Sequence, residues 1–543
     1  MYPEENSNTG LKVAISVLLI FLLTAGATFF YKNKLNEEIT LKTSDAENIK
    51  VSFHGNLDGW PGYIPIASNL LQNNLRVKGI DLQWISDKGD YQKRIEALNN
   101  GEIDFAVITA DAHQLNRIKN ELIGVEVLVI DESHGGDSTI AWKDCGISKI
   151  SDLNSKPHFS ATNPDGWKMA YLENTPSHQQ VRTIGRDFGV DALLKTDKPW
   201  YVGGESDKEI YEKFRNKEVC IITTWEPWKS KLLALEGTVE LYSSRNADKD
   251  IVDLLLVNRK LLEENNSKYA HLETIIDEYF DVLQKLKDDN SLLLEQSKSF
   301  LDEYAGLSGL SDEEITSMIA GVKWVNLRDN AENWFGLAGQ KYFGLLEAHE
   351  NARNIIKEDE SHKDHLKGFD FTKIINSTII RKLYLLGGYS QQSDKNTVTD
   401  SLTHPFSQLT DEQWNDLVEV GELKAKPIIF LSGDSSLSEN SNELLDEIMD
   451  ELRHYPNFRI ELTPGYFSNA TDLEDEKQTA ERRARNVMEY IISNYNIDRN
   501  RVRVIIPSPE NVKKVIPMQV NESTRSYGGR LRQVHFILKN TAR

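Results

Sequence analysis

IDFAVIT, residues 103–109, is a short and mostly apolar run that follows a helical pattern, DYQKRIEALNNG, ending at Gly101. Such a run is typical of a strand buried on both faces. Two further strand patterns precede it, IKVSFHG at residues 49–55 and IDLQWIS at residues 80–86, with the helical pattern IPIASNLLQNNL between them. This β-α-β-α-β order predicts a mostly parallel sheet with helices on its faces.

A second set of strand and helix patterns begins further along the chain, and after it comes another apolar strand pattern like those of the first set. Strand and helix patterns recur in HFSATN, VRTIGRDFGV and EVCIITT, and the stretch IVDLLLVNRKLLEENN begins at Ile251. Helical patterns follow from about Tyr269 to Lys357. A second lobe inserted into the first explains both the restart and the return. We therefore predict a two-lobed α/β domain over residues 49–385.

Length and composition narrow the classes of function. A chain of 543 residues exceeds what one hydrophobic core organises, so two or three domains are expected. A formal net charge of −21 argues against nucleic-acid binding, which needs a basic face. The chain has two cysteines, Cys145 and Cys220, and both a disulfide and two buried thiols fit them. We expect no metal site and no cofactor.

The N-terminal segment VAISVLLIFLLTAGATFF, residues 13–30, contains no charged residue. As a helix it reaches roughly 27 Å, close to the hydrocarbon thickness of a bilayer. We predict a short tail at residues 1–12, an uncleaved transmembrane anchor at 13–31 and a stalk at 32–48. A signal peptide cleaved near Ala25-Gly26-Ala27 is the alternative.

A polar stretch, SQQSDKNTVTDSLTHPFSQLT, separates a second unit from the first and predicts a linker over residues 386–412. Residues 413–543 then follow as a smaller α+β domain with the pattern β-α-β-α-β-β. Its segments are KPIIFLS, SNELLDEIMDELRHY, FRIELTPGY, QTAERRARNVMEYIISNYNI, VRVIIP and LRQVHFIL.

Loops at the carboxyl ends of the first domain's strands are dense in aromatic and polar residues, and two-lobed α/β domains bind ligands there. Aromatic side chains supply stacking area, and hydroxyl, amide and carboxyl groups fix a ligand's orientation. The candidate ligand-binding residues are Trp60, Tyr63, Thr109, Asp111, His134, Asp137, Ser138, Asn163, Trp167, Thr224, Trp225 and Glu226.

Five segments carry a resemblance: GWPGYIPIASNLL, LNNGEIDFAVITAD, DESHGGDSTIAW, TTWEPWKSKLL and VDLLLVNRKLLEEN. In order and spacing they resemble the type II periplasmic solute-binding proteins of the nitrate, sulfonate and taurine transporter group, which serve ABC transporters. The resemblance implies the two-lobed periplasmic-binding-protein fold and a periplasmic location on the inner membrane, although Lys32 and Lys34 outnumber Lys12 around the span. It implies that 59–63, 109–111, 135–138 and 224–227 line the cleft.

The chain departs from that group in two ways. It lacks the lipobox cysteine, so the helix would be the anchor, and its candidate cleft is richer in Asp, Glu and Trp than in Arg or Lys. The charge of the ligand therefore stays open. An oxyanion would take donors from backbone N–H groups, His54 and His134, whereas an amine or zwitterion would lie on Trp60, Trp167 or Trp225.

The segment GYFSNATDLEDEKQTAERRARNVMEYIIS, residues 465–493, resembles the OmpA-like peptidoglycan-binding domain. In that family a turn Asp and a helix Arg hold the diaminopimelate of the stem peptide. The helix position falls on Arg483, but the Asp position is Ser468 and the usual Asn position is Glu476, so half of the clamp is changed. We assign Arg482 and Arg485 to the surface, beside acidic neighbours on the helix.

No Walker A, HExxH, paired CxxC or GxSxG motif occurs, and we expect no enzymatic activity. We predict a membrane-anchored extracytoplasmic solute-binding protein that captures or senses a small molecule. Its other partners would be peptidoglycan, the membrane, and a permease or signalling membrane protein. The alternative is a non-catalytic envelope scaffold with a ligand-free cleft. An ion-channel stator is disfavoured, because the apolar span lacks a carboxylate for proton passage.

Overall fold

Residues 49–541 form two α/β lobes followed by a smaller mixed unit. The computed structural model describes this range apart from residues 264, 338–343, 388–405, 425–427, 429, 431–434, 438, 468–471, 517 and 519–521. The predicted tail, transmembrane anchor and stalk at residues 1–48 lie outside the described residues. Among the residues that are described, no helix is both long and apolar enough to cross a membrane.

The strands of the two lobes alternate with helices along the chain. The strands are β1 (Val51–Leu57), β2 (Ile80–Ser86), β3 (Phe105–Thr109), β4 (Val125–Ser133), β5 (Asp137–Trp142), β6 (Met169–Ala170), β7 (Tyr201–Val202), β8 (Ile221–Trp225), β9 (Thr238–Ser243), β10 (Val252–Val257) and β11 (Val322–Trp324). The helices are α1 (Ile64–Ala67), α2 (Asn69–Val77), α3 (Tyr91–Asn100), α4 (Ala110–Leu115), α5 (Asp152–Ser155), α6 (Pro176–Asp187), α7 (Asp207–Arg215), α8 (Trp228–Leu233), α9 (Tyr269–Asp288), α10 (Asn290–Ala305), α11 (Asp312–Ile319), α12 (Leu327–Asp329), α13 (Gly344–Ile356) and α14 (Thr378–Leu386).

The two sheets share the same order of five strands, and β11 adds a sixth strand at the edge of the first sheet. The first lobe has the strand order β2-β1-β3-β10-β4-β11, and the second has β7-β6-β8-β5-β9. In each sheet, the strand that arrives from the other lobe, β10 or β5, lies antiparallel between two others. The chain crosses between the lobes after β4 and again after β9. The predicted insertion of one lobe into the other, and with it the two-lobed α/β fold, is confirmed.

Local sequence signals place the elements as expected. Asp90 accepts a hydrogen bond from the backbone N–H of Lys93 and caps α3, which ends at Gly101 in the left-handed conformation. Every residue of β3 is buried, as the apolar run IDFAVIT predicts. HFSATN, by contrast, forms a turn closed by Ser160 and Asn163 rather than a strand. Its Ser, Thr and Asn side chains favour turns.

Cys145 and Cys220 form a disulfide with a Cα–Cα distance of 6.0 Å, so the alternative of two free thiols is excluded. The bond joins the turn after β5 to the residue before β8. These two strands are neighbours in the second sheet. The disulfide therefore ties together the strands whose opposite ends reach the space between the lobes.

The C-terminal unit contains a four-stranded sheet with the order β12-β15-β13-β14. Its elements are α15 (Asp411–Asn415), β12 (Val418–Glu422), α16 (Glu439–Leu452), β13 (Arg459–Pro464), α17 (Leu473–Tyr495), β14 (Val502–Val504), α18 (Val512–Val515), α19 (Thr524–Arg530) and β15 (Val534–Asn540). We predicted the first strand of this unit at KPIIFLS, but the first strand is β12, which lies upstream of that segment. Most of KPIIFLS falls outside the described residues. The other predicted strands and both main helices are present.

This unit packs on the second lobe through a shared hydrophobic core that includes Phe188, Tyr242 and Tyr455. At its centre the Tyr455 hydroxyl donates a hydrogen bond to the buried Asp187 carboxylate. Around it, Arg186 pairs with Glu451 at 3.2 Å. The C-terminal unit and the second lobe thus share polar as well as apolar contacts.

Replacing Tyr455 with phenylalanine should lower the free energy of unfolding by about 1–3 kcal/mol, because the buried Asp187 carboxylate loses a donor. Chemical denaturation of the full chain measures this loss. Tyr495→Phe is the matched control, since the Tyr495 hydroxyl donates to Asp446 in exposed surroundings. Equal losses in the two variants would contradict a buried polar contact at this interface.

Candidate functional site

The space between the lobes is bordered by strand ends whose register brings distant residues together. Asp253, near the start of β10, pairs with Thr109 at the end of β3 on one side and with Asp131 of β4 on the other. In the second lobe, Asp137 at the start of β5 pairs with Trp225 at the end of β8. Two rows of aligned side chains, one per lobe, therefore meet at the cleft.

Aromatic and acidic side chains enclose the cleft. They leave a cavity of about 10 Å³, the size of about one water molecule. Trp225 reaches across from the second lobe towards the loop before α3, where a Cβ added to Gly89 would lie 3.6 Å from its ring. The walls are Trp60, Tyr63, Tyr91, Thr109, Asp137, Pro176, Trp225, Ile251 and Asp253.

The polar tips of the aromatic walls are bonded to carboxylates. Trp60 Nε1 donates to Asp131 at 3.1 Å, and the Tyr63 hydroxyl donates to Asp253 at 2.5 Å. Only glycine fits at residue 62, because a Cβ there would lie 2.2 Å from the Asp131 carboxylate and 2.1 Å from Trp60 Nε1. The GWPGY segment thus sets its two aromatic side chains against two buried acids.

A buried arginine supports this segment from behind. Arg94 Nη2 donates to Asp58 at 3.0 Å, and Asp58 accepts the Trp60 backbone N–H at 2.9 Å. Arg94 Nε also donates to Asp87 at 2.6 Å. Through these bonds, one guanidinium group connects the Trp60 turn to the loop that faces Trp225.

Four fully buried carboxyl groups, Asp111, Asp131, Asp137 and Asp253, make up what we call the acidic cluster. Burial raises the pKa of Asp111 to about 6, of Asp131 to about 7 and of Asp137 to about 8. Burial, and then the charge of Asp131, raises the pKa of Asp253 well above its ordinary value. Ionisation of this cluster is therefore unfavourable unless a positive charge joins it.

Raised carboxyl pKa values predict a stability that falls as pH rises. The Asp137 carboxyl, with Ser133, Asp111, Lys229 and Asp250 around it, has its pKa raised by burial from 3.8 to about 8. Its stabilising contribution is complete below about pH 4 and is lost as pH rises through about 8. Denaturation of the full chain between these values should show the decline, and Asp137→Asn should flatten it. Parallel profiles for the two proteins would contradict the assignment.

The two crossings between the lobes are joined by one serine. Ser244 Oγ accepts the backbone N–H groups of Gly135 at 2.9 Å and of Asp137 at 3.1 Å, and lies 2.8 Å from Ser133 Oγ. Ser133 in turn donates to Asp137. A cleft carboxylate is thus fixed directly to the segments about which the lobes would rotate.

Several residues predicted from the sequence do meet in the cleft. Trp60, Tyr63, Thr109, Asp137 and Trp225 all line the cavity. Two more lie beside it. Asp111 follows Thr109 in the first turn of α4, and Thr224 is buried next to Trp225.

Other predicted residues are placed elsewhere. Asn163 lies in an exposed turn, and Trp167 packs in the second lobe's core, where its Nε1 donates to the Lys156 carbonyl. Successive side chains alternate along a strand, so Ser138 points to the opposite face of β5 from Asp137. The Ser138 hydroxyl donates to Glu240. Glu226 accepts hydrogen bonds from the backbone N–H and the hydroxyl of Ser230 in the first turn of α8. His134 lies beside Glu132, Lys323 and Arg245 and is not a cavity wall.

Sequence reasoning missed Asp131, Asp253, Tyr91 and Arg94 as parts of the site. The two aspartates had a detectable signal. Asp253 is the single charged residue in the apolar run IVDLLLV, and Asp131 directly follows the apolar run VLVI in VEVLVID. A charged residue in a buried strand is costly to bury unless it has a partner or a function. Their juxtaposition depends on the antiparallel insertion of β10, which no local pattern shows.

In the C-terminal unit, the predicted wall-binding residues are only partly described. Arg483 on α17 is 8% exposed, with its guanidinium carbon 5.2 Å from the centre of the Phe430 ring. Glu476 is half-buried in the first turn of the same helix, and Ser468 lies outside the described residues. Arg482 and Arg485 are exposed, and Arg485 pairs with Glu481 at 2.7 Å.

No protein-family model and no curated protein matches this chain. Solved structures are similar to it at low identity. The alkanesulfonate-binding protein SsuA from Xanthomonas axonopodis pv. citri, bound to MOPS, is 12% identical over 61% of this chain and 99% of that one, with a TM-score of 0.42. The periplasmic aliphatic sulphonate binding protein SsuA from Escherichia coli is 16% identical over 60% and 92%, with a TM-score of 0.41.

A DszB mutant in complex with biphenyl-2-sulfinic acid is similar to the same extent, at 11% identity and a TM-score of 0.41 over 62% of this chain and 100% of that one. At such identities the likeness concerns the fold alone. What the cleft binds must therefore be argued from the side chains of this chain.

Proposed function

We propose that this chain is a membrane-anchored, extracytoplasmic solute-binding protein that captures or senses a small molecule between its two lobes. The ligand would shift the lobes towards a closed arrangement through its greater affinity for that arrangement. No chemical step is involved. A permease or a signalling membrane protein would respond to the closed form.

One observation carries this proposal: the acidic cluster is buried without an ion pair among the residues that the structure describes. Unpaired buried carboxyl groups cost several kcal/mol each. In a protein whose lobes only packed together, apolar side chains at these positions would be more stable. Their retention at the contact between two hinged lobes is explained by a ligand that completes the site.

Two features support an extracytoplasmic location. The Cys145–Cys220 disulfide is of a kind that persists in oxidising compartments. The apolar segment at residues 13–30 has the length of a membrane span, which supports single-pass anchoring in the inner membrane with the lobes in the periplasm.

A thermal-shift screen of the full chain in detergent tests solute binding. The panel contains nitrate, phosphate, sulfonates, amino acids and amines, and a ligand at 100 times its Kd should stabilise the fold by about 2.7 kcal/mol. A shift that disappears in the Trp60→Ala/Trp225→Ala double variant supports the proposal. No shift with any compound would contradict it.

Tethering to peptidoglycan is the finer part of the proposal. It is supported by the ERRA segment at residues 481–484 within α17 and by the position of the buried Arg483 guanidinium group against the Phe430 ring. Arg483→Ala should abolish retention of the chain on purified peptidoglycan, whereas the exposed Arg482→Ala should not. Equal retention of both variants would remove Arg483 from the wall-binding site.

An envelope scaffold is the second candidate function, and the cavity of about 10 Å³ favours it, because the cleft side chains nearly fill the space between the lobes. In a scaffold, the Trp60→Ala/Trp225→Ala double variant would leave cellular function unchanged. A binding protein would lose its response to ligand in the same variant.

A further inference from the structure

We infer that the ligand of this cleft is a small organic cation whose ammonium or amidinium group lies among Asp131, Asp137 and Asp253, beside Trp60 and Trp225. This inference rests on the proposed solute-binding function and specifies its ligand class. It chooses between the oxyanion and the amine that the sequence leaves open.

Acidic groups outnumber the available cations around the cavity. Asp137 and Asp253 line the cavity, Asp131 pairs with Asp253 in the sheet, and Asp111 lies two residues after the wall residue Thr109. Two buried cations near the cleft, Arg94 and Lys229, are already engaged. Arg94 pairs with Asp58 and Asp87, and Lys229 Nζ donates to the Gly135 carbonyl at 2.6 Å and pairs with Glu226. Arg182 is also buried near Asp111. It pairs with Asp359 through Nε, while its Nη1 and Nη2 have no hydrogen-bond partner among the described residues. Four buried carboxyl groups against this one guanidinium group still leave an excess of acidic groups at the cleft.

Hydrogen-bond donors of the cavity walls point to the carboxylates of the cluster. Trp60 Nε1 and the Tyr63 hydroxyl, the polar tips of two cavity walls, both donate to carboxylates of the cluster. An anion in the cavity would need donors. These two are already used, and the Thr109 hydroxyl is a wall donor that remains without a hydrogen-bond partner in the part of the chain that the structure describes. A cation needs acceptors, and the acidic cluster offers several: Asp131 Oδ2 and both Asp111 carboxylate oxygens are buried without a hydrogen-bond partner among the described residues. Asp137 Oδ1 is fully buried and has no hydrogen-bond partner among the described residues.

The aromatic walls of the cavity suit the apolar part of an organic cation. Trp60, Tyr63, Tyr91 and Trp225 supply aromatic surface on several sides of the cavity. Aromatic rings attract cations when the surroundings exclude water, and their surface also covers alkyl groups. Aromatic walls with a carboxylate at one end suit alkylamines, guanidines and methylated ammonium ions. Among the residues that the structure describes, no group of three or more His, Cys, Asp or Glu side chains is arranged to hold a metal ion.

Isothermal titration calorimetry of the full chain at about pH 8, where more of the cluster's carboxyl groups are ionised than at neutral pH, tests the inference. The probes are choline, putrescine and agmatine as cations, dimethylbutanol as the uncharged isostere of choline, and ethanesulfonate and nitrate as anions. We expect binding of at least one cation and none of the isostere or the anions. Asp137→Asn should weaken that binding about 30-fold or more.

Asp144→Asn is the matched control, because Asp144 is exposed in the same lobe and pairs with Lys217. It should leave the affinity unchanged. Binding of an anion, or equal binding of choline and dimethylbutanol, would overturn the cation assignment while leaving solute binding intact. Absence of binding by every probe and by the wider thermal-shift panel would overturn both.

Discussion

Replacing Arg94 with methionine is expected to lower the free energy of unfolding of the chain by about 3–5 kcal/mol. The guanidinium group is fully buried and pairs with Asp58 and Asp87. Methionine matches much of the arginine stem in volume but leaves two acidic groups without their cation. Removing one partner of a buried ion pair is among the most destabilising single changes, since the remaining charge stays desolvated.

The matched control is Arg76→Met. Arg76 lies on α2 and pairs with Asp81 at 3.0 Å, but its side chain is about half exposed. Exposed pairs contribute about 0–1 kcal/mol, so this variant should lose no more than that. Urea denaturation of both variants measures the difference. Similar losses would show that Arg94 does not hold the Trp60 turn and the Asp87 loop together.

Replacing Trp225 with alanine should weaken binding of the cation by about 100-fold, because this ring closes the cleft from the second lobe. The effect should be measured calorimetrically with whichever of choline, putrescine and agmatine binds the full chain most tightly. Trp225 lies at the end of β8, where its removal opens the contact with Gly89 of the first lobe. The loss should fall on ligand affinity more than on stability.

Trp167→Phe is the control for this experiment. Sequence reasoning placed Trp167 in the cleft, whereas the structure places it in the second lobe's core against Trp200, 5.4 Å between ring centroids. Phenylalanine retains an aromatic ring there, so affinity should stay unchanged. If Trp167→Phe weakened binding as much as Trp225→Ala, the ligand would not lie between Trp60 and Trp225.

The overall architecture could be predicted because it depends on local patterns. The apolar run at residues 103–109, the capped helix ending at Gly101 and the return at Ile251 each follow from hydrophobic periodicity and turn residues. The C-terminal helices were also clear from their apolar stripes. HFSATN was wrong as a strand because its polar residues satisfy their hydrogen bonds within a turn.

The site could be predicted only in part, because it depends on strand order. Asp131 and Asp253 are far apart in the chain and become neighbours only when β10 inserts beside β4. Aromatic residues in loops occur both in cores and in clefts. The sequence therefore does not show that Trp60 and Trp225 line the cavity whereas Trp167 packs in the second lobe's core. The cationic charge that we propose for the ligand likewise rests on the hydrogen-bond directions of Trp60 and Tyr63, which sequence alone does not show.

The most direct test of the central claim, a two-lobed protein that closes on a small ligand, is a distance measurement between the lobes. Spin labels on cysteines introduced at Gln83 and Glu236, both exposed and on different lobes, would report it by pulsed electron paramagnetic resonance. The native cysteines do not interfere, because they form a disulfide. If the ligand closes the lobes, the tightest-binding amine should reduce the label-to-label distances to one narrow distribution, which corresponds to the closed arrangement. An unchanged distribution at saturating amine would contradict it.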